Sequence, residues 1–294
     1  MRLNLIVKEK FFMNTIITIK VVQKDEGTTF ILNKIEEAFS EFDRIVKRYT
    51  RFNENSELSN LNRQSGDWVQ VSDEFIYLIN YMLNMSNLTK GIFDPTIIDF
   101  LEIYGYDKNY DFSKLNNPEL DKIILKTVNE RPSWKDIKVD IKNNKVKLVK
   151  NQRLDLGGIG KGYAIDCAYS KLNDLNNFLI DAGGDIRVKG KNESEELWHI
   201  ALKNKKANEE LEIIGEVHLD NESLACSGSW ARKVKQFHHL INPKTGKPEN
   251  IFRTVYVQTK TAIEADSWAT TLFIGGINIG KVLPNNLKYF TINF

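Results

Sequence analysis

The chain has 294 residues, 41% hydrophobic and 27% charged, and its 41 Lys+Arg against 39 Asp+Glu give a formal net charge of +2. That length builds one large domain or two lobes on a shared core, and so balanced a charge offers no reason to expect nucleic acid or an anionic membrane surface as partner. No segment approaches the roughly 18–20 apolar residues that span a bilayer, and the two cysteines, Cys167 and Cys226, join no metal-spaced Cys/His cluster and read as small buried apolar groups.

Residues 1–24 alternate apolar and polar side chains (Leu3, Leu5, Val7, then Ile17, Ile19, Val21). This predicts paired strands and lacks the charged-then-apolar layout of a signal peptide. A cytoplasmic location is expected, with a membrane-anchored extracytoplasmic one as the alternative if a leader is missing from this sequence. Thr28 to Thr50 predicts a long amphipathic helix, with Phe30, Ile31, Ile35, Ala38, Phe39, Phe42, Ile45 and Val46 on one stripe. Polar residues 51–67 predict a loop or short helix, and Asp73 to Asn87 a second helix. Residues 99–134, rich in Asp, Asn, Lys and Tyr, read as irregular, and the stretch around 105–120 is the candidate for an excursion between lobes. Val139 to Lys150 contains Lys-Asn-Asn-Lys, a hairpin signal.

Val146, Leu148 and Leu154 to Leu156 then read as strand. The glycine-rich segment Leu154 to Asp166 follows, and a helix is expected to begin near Gly160 to Gly162. Four glycines and one lysine in thirteen residues suggest backbone lying close to an anion, as where N–H groups at a helix start cradle phosphate. The segment matches neither a Walker loop nor a dinucleotide-binding glycine turn, and a tight turn with a solvated lysine remains the alternative. Strands are expected at 178–190, interrupted by Gly-Gly, and at 198–203, 211–219, 224–229, 237–241 and 254–259, with a final helix over Ala262 to Ile274. Helices early and strands late predict an α+β fold with largely antiparallel sheets.

Several short segments have residue types suited to chemistry. Asp94 precedes proline, which holds it out of the helical region and suits it to turn formation. Asp181-Ala-Gly-Gly-Asp185 places two carboxylates around a turn. Ser227-Gly-Ser-Trp-Ala-Arg232 lacks the order of a serine-nucleophile elbow. His238 and His239 are adjacent, so on a strand one faces a site while the other packs or is exposed, and histidine suits proton transfer near neutral pH. Asp266 and Thr270 lie one helical turn apart on one face, a hard-oxygen pair of the kind that holds Mg²⁺.

In order, Met13-Asn-Thr15, Arg48 to Phe52 with Asn55 to Leu58, Ile92 to Thr96, Leu154 to Asp166, Asp181 to Asp185, Ser227-Gly, His238 to Gly246 and Ala265 to Thr270 resemble the succession of motifs in the ApbE family, from about Met13 to Gly276. The resemblance implies a single domain over 1–294 with a T-fold-related architecture and two lobes around a flavin cleft. It implies a Mg²⁺-requiring flavin transferase that moves FMN from FAD, its substrate, to a threonine hydroxyl of a target protein in a redox or electron-transport system, releasing AMP. An FAD-binding protein or FAD pyrophosphatase is the alternative. By match to the family's motifs, Asp266 and Thr270 hold the metal with the Gly160 carbonyl. Met13, Tyr49, Ile92, Phe93, Asp94, Asp155, Gly157, Lys161, Tyr163, Asp166 and Leu240 surround the nucleotide. His239, with His238 as fallback, and Asp266 serve catalysis. Asn14, Gly160 and Asn242 stand where the family usually has glycine, alanine and aspartate.

Overall fold

The structure, a computed structural model, describes residues 3–205, 210–230 and 232–293. Met1 and Arg2 of the expected first strand, and Ala231 of the Ser227 to Arg232 segment, lie outside the described residues. The chain opens with a hairpin, β1 (Asn4–Phe12) and β2 (Thr15–Gln23), in register from Asn4↔Gln23 to Phe12↔Thr15. Its two-residue loop, Met13 and Asn14, has positive φ at both positions, 52° and 60°, the turn handedness that fits the twist of paired strands. Asparagine tolerates this conformation better than most side chains, which explains how Asn14 serves in this turn.

Helix α1 (Thr28–Tyr49) buries Ile31, Ile35, Ala38, Phe39, Phe42, Ile45 and Tyr49 along one stripe and closes with Lys47 and Arg48 at its negative end. In α2 (Glu57–Arg63) the Ser56 hydroxyl accepts the Ser59 N–H at 2.9 Å. After β3 (Trp68–Gln70), helix α3 (Asp73–Leu88) starts the same way, Ser72 accepting the Phe75 N–H at 3.1 Å. Such caps satisfy amides that a helix start leaves open.

The stretch expected to be irregular contains two helices, α4 (Ile98–Ile103) and α5 (Leu120–Glu130). Leu120, Ile124 and Val128 recur every fourth residue and join a small core with Phe100, Leu101, Tyr104, Tyr106 and Ile241. The stripe is narrow, only Ile124 of α5 being fully buried, and the Lys, Asp and Asn around it obscure its period. Strands β4 (Lys138–Asp140) and β5 (Lys145–Lys147) make the expected hairpin and join β3 in a three-stranded sheet ordered β3-β5-β4. Leu154 to Leu156, expected as strand, pairs with no strand among the described residues. The Asn62 amide takes its place, donating to the Leu154 carbonyl at 2.9 Å and accepting the Leu154 N–H at 2.7 Å.

The second half supplies α6 (Gly160–Lys171), β6 (Phe178–Ala182), β7 (Asp185–Lys189), β8 (Trp198–Lys205), β9 (Leu211–Leu219), β10 (Ser223–Gly228), β11 (Ile241–Asn242), β12 (Lys247–Pro248), β13 (Thr254–Thr259), α7 (Ala262–Gly275) and β14 (Lys288–Ile292). The expected strand at 237–241 is reduced to β11. Phe237 keeps a single bridge to Val234, and the Leu240 N–H is taken by the Nδ1 of His238 at 3.2 Å, not by a neighbouring strand.

The main sheet has seven strands in the order β1-β2-β6-β7-β10-β13-β14, every pair antiparallel. Alternation sorts its two faces. Ile17, Ile19, Val21, Phe178, Ile180, Val255 and Val257 point into the large core with α1, α6 and α7. Val22, Leu179, Val188, Leu224 and Tyr256 point the other way, against Trp198, Ile200, Leu202, Val217 and Leu219 of the β8–β9 ribbon. Fully burying such a side chain is worth about 1.5–3 kcal/mol. Antiparallel sheets packed by helices match the expected α+β architecture. Helix α7 is apolar almost all round and buried from Ala262 to Ile274 apart from Glu264 and Thr270, as a helix inside a core must be, and it takes Asp266 with it.

Candidate active site

A cleft of about 1320 Å³ runs between the helix cluster, the main sheet and the β8–β9 ribbon. It exceeds the roughly 300–1,000 Å³ of ordinary small-molecule pockets. At its most polar corner the N-terminal turn of α6 meets α7. Asp266, 6% exposed, accepts the Gly162 N–H at 3.0 Å, and Thr270 lies one turn further along α7 with its hydroxyl 3.5 Å from that of Ser227. Lys161 forms an ion pair with Asp185 of β7, whose other oxygen accepts the Cys226 N–H at 3.0 Å. Burial, then the nearby Asp185 charge, push the Asp266 carboxyl from an ordinary 3.8 up to about 7, against the pull of Lys161. Burial draws the Lys161 pKa down, but Asp185 and Asp266 outweigh it and the net shift is upward.

Two buried carboxylates beside one lysine, with the Thr270 hydroxyl one helical turn from Asp266, make a hard-oxygen donor set. Such a set fits a Mg²⁺ ion, whose charge would relieve the repulsion that raises Asp266. Alanine also fits at Gly160, since a Cβ there meets only the Met13 Cε at 3.7 Å.

The wall beside this corner is ordered by Glu74. Arg44 grips it with both terminal nitrogens, at 2.6 and 2.7 Å, and Arg48 adds a third contact at 2.9 Å. The hydroxyls of Tyr49 and Tyr163 donate to it at 2.8 and 2.7 Å, which holds both residues in the cleft lining. Burial opposes ionisation of Glu74, but hydrogen bonds from Arg44, Tyr163 and Tyr49 win and lower its carboxyl to about 2. Desolvation, followed by the bonds to Glu74, raises the pKa of both phenols, so they stay protonated donors.

Ile92, Phe93 and Asp94 also line the cleft. The Asp94 carboxylate accepts the Thr96 N–H at 2.8 Å and the Thr96 hydroxyl at 2.6 Å, and it pairs with buried Arg131 at 2.8 Å. It is therefore a turn former, spent on its own loop. Asp155 likewise accepts the Gly157 N–H at 3.0 Å and pairs with Arg51 at 3.4 Å, while its backbone N–H donates to the Pro95 carbonyl at 2.8 Å. These bonds join the glycine segment to the Asp94 loop.

The two histidines divide. His239 lines the cleft with Leu240, its ring edge-on to Tyr106. His238, 1% exposed, packs edge-on against Phe273 at 5.7 Å, and burial lowers its pKa. The fallback position is thus a core histidine.

Met13, Tyr49, Ile92, Phe93, Asp94, Asp155, Gly157, Gly160, Lys161, Tyr163, His239, Leu240, Asp266 and Thr270 all line this one cleft. Asp166 does not. It pairs with Arg187 and accepts the N–H groups of Ala262 at 2.8 Å and Ile263 at 3.0 Å, capping the start of α7. A carboxylate at a helix N-terminus satisfies open amides and complements the dipole, so its role is to join α6 to α7. Sequence reasoning missed Glu74 and Arg131, gave Arg232 no role of its own, and read Asp185 only as one of two acids around a Gly-Gly turn. Asp185 was visible as the second acid of the Gly-Gly turn. Arg232, whose charge bears on both Lys161 and Asp266 and whose carbonyl accepts the Tyr106 hydroxyl at 2.6 Å, follows Ser227-Gly. Both cysteines are weak nucleophiles, burial pushing Cys167 up to about 11 and Cys226 up to about 12. Among the described residues no helix is long and apolar enough to cross a membrane.

The ApbE family matches residues 13–290. A relative from Haemophilus influenzae named FAD:protein FMN transferase is 29% identical over 296 residues, covering 94% of this chain and 83% of its own length. One of the same name from Buchnera aphidicola is 28% identical, covering 86% and 75%. The crystal structure of an ApbE protein from Thermotoga maritima superposes with a TM-score of 0.86 at 27% identity, over 98% of this chain and 94% of that one. The flavin transferase ApbE from Vibrio cholerae shares the fold, with a TM-score of 0.81 at 19% identity over 99% and 97%.

Proposed function

Since this chain belongs to the ApbE family, we propose that it is an FAD:protein FMN transferase, joining the FMN half of FAD to a threonine hydroxyl of a target protein and releasing AMP. The observation that supports this most is the convergence of Lys161, Asp266, Thr270 and His239 on one cleft large enough for a dinucleotide. The relatives' shared name supports the reaction class.

The threonine oxygen forms a bond to the FMN phosphorus, and the bond from that phosphorus to the bridging oxygen breaks. AMP leaves with the oxygen and its charge. His239 takes the threonine proton, a role worth about 10²–10⁴-fold. Lys161, its charge kept by two carboxylates, lies where it can oppose charge growing on the diphosphate. Tyr49 and Tyr163, tied to Glu74, form a fixed wall for the flavin half, and the Asp94 and Asp155 loops, joined to each other, add to the lining. Asp266, Thr270 and the Gly160 carbonyl would hold Mg²⁺, which when bound supplies positive charge against the diphosphate oxygens.

The test incubates the protein with FAD, Mg²⁺ and a threonine-bearing acceptor domain, read by in-gel flavin fluorescence and intact mass. An acceptor gaining the mass of FMN, with free AMP, is expected. Free FMN and AMP without an adduct make the protein an FAD pyrophosphatase, and no turnover defeats both readings. Asp266→Ala abolishes turnover while far-UV circular dichroism stays unchanged. His239→Ala retains FAD binding by fluorescence titration and slows transfer about 10²–10⁴-fold. His238→Ala instead lowers the melting temperature.

A further inference from the structure

The solvent-facing side of the β8–β9 ribbon has three metal-ligating side chains in one patch. His199 and His218 are directly opposed across the strands, their rings parallel to within 8° and their centroids 4.2 Å apart. Glu216 lies two residues from His218, hence on the same face, with its Oε1 3.1 Å from the His218 Nε2. Opposite Glu216 stands Ala201, whose methyl leaves the space above the patch open. One donor atom from each of His199, Glu216 and His218 lies within 4.8 Å of the other two.

We propose that His199, His218 and Glu216 form a chelating site for a borderline transition cation such as Zn²⁺. Two imidazoles and one carboxylate suit zinc, copper or nickel and do not suit Mg²⁺, so the site is distinct in chemistry from the oxygen corner at Asp266. Zinc bonds of about 2.0–2.2 Å in tetrahedral geometry set the donors about 3.3 Å apart. The side chains are 44%, 45% and 60% exposed and reach that spacing by rotamer change, since Trp198, Ile200, Val217 and Leu219 anchor the ribbon beneath them. The fourth position is open to water or to Glu196, whose Oε2 is 3.8 Å from the His199 Nε2. Because His199 also belongs to the cleft lining, a bound cation would staple the two strands of the ribbon at the wall of the cleft.

The test titrates the full chain with Zn²⁺ under saturating Mg²⁺ by calorimetry, with histidine ring protons followed by NMR. One equivalent is expected to bind and to shift the His199 and His218 resonances together. His199→Ala and His218→Ala each weaken it by at least the about 10–100-fold that loss of an outer-shell partner costs at established metal sites, and Glu216→Gln weakens it less. Metal-free melting temperatures equal to that of the parent show that the variants fold. Undiminished zinc affinity in the two histidine variants, or binding that leaves both resonances in place, overturns the proposal.

Discussion

Gly160 and Gly162 are two positions apart in the same helical turn, and different neighbours constrain them. A Cβ on Gly162 would stand 2.3 Å from the Ala262 carbonyl oxygen and 2.6 Å from its carbon, so α6 and α7 meet backbone to backbone there. Gly162→Ala is expected to cost about 1–3 kcal/mol by overpacking and to disturb the bond from the Gly162 N–H to Asp266. Gly160→Ala keeps the carbonyl and is expected to be neutral or to gain up to about 1 kcal/mol from helix propensity. Urea unfolding of both variants checks the contrast. At this scale the helical period alone brought Asp266 and Thr270 together, and the motif order pointed to Lys161 and His239. Asp166 was beyond reach because the amides it caps belong to residues 96 and 97 positions away. His238 is packed while His239 lines the cleft, and a bend with a side-chain bond to Leu240, not the expected strand, turns them apart.

Helix α5 shows what a single element contributes from outside the cleft. It ends at Glu130, and the next residue, Arg131, donates to Asp94 at 2.8 Å and to the Thr96 carbonyl and hydroxyl at 3.0 and 2.9 Å. Arg131→Met would leave the buried Asp94 carboxylate without a cation, which typically costs about 3–5 kcal/mol. The expected result is a lower melting temperature together with weaker FAD binding, because the loop bearing Ile92 and Phe93 loses its support. Unchanged stability in thermal unfolding would show that the pair is dispensable. Helices such as α1 were legible because a wide apolar stripe recurs through 22 residues. Helix α5 was not, because its buried face is little more than one side chain wide. The Leu154 to Leu156 segment misled for a related reason, since leucines at alternate positions look the same whether a strand or, as here, the Asn62 amide satisfies the backbone.

Across the whole molecule, part of the loss of stability in acid should trace to Glu74, which fastens α1, α3 and α6 to one another. Its carboxyl titrates near 2 in the folded chain against an ordinary 4.5. The unfolded state therefore binds the proton first, so stability from this group is complete above about 4.5 and lost as pH falls towards 2. Partial solvent screening reduces the gain to the order of 2 kcal/mol. Glu74→Gln is expected to lower stability at pH 7 and to flatten its fall between pH 4.5 and 2, as measured by denaturant midpoints across that range. The antiparallel α+β architecture was readable from helices early and strands late. The strand order that sets β2 beside β6 and β10 beside β13 was not, since pairing depends on burial shared by residues far apart in the chain.

The bond from Gly162 to Asp266 spans 104 positions, and α7 is the last α-helix among the described residues. A chain growing from the ribosome therefore exposes its glycine turn, lysine and tyrosines well before the carboxylate and hydroxyl that complete the corner exist. Until α7 has been made, a nascent polypeptide has the glycine turn and its lysine without the carboxylate that the Gly162 N–H binds, so this corner is assembled only after Asp266 has emerged.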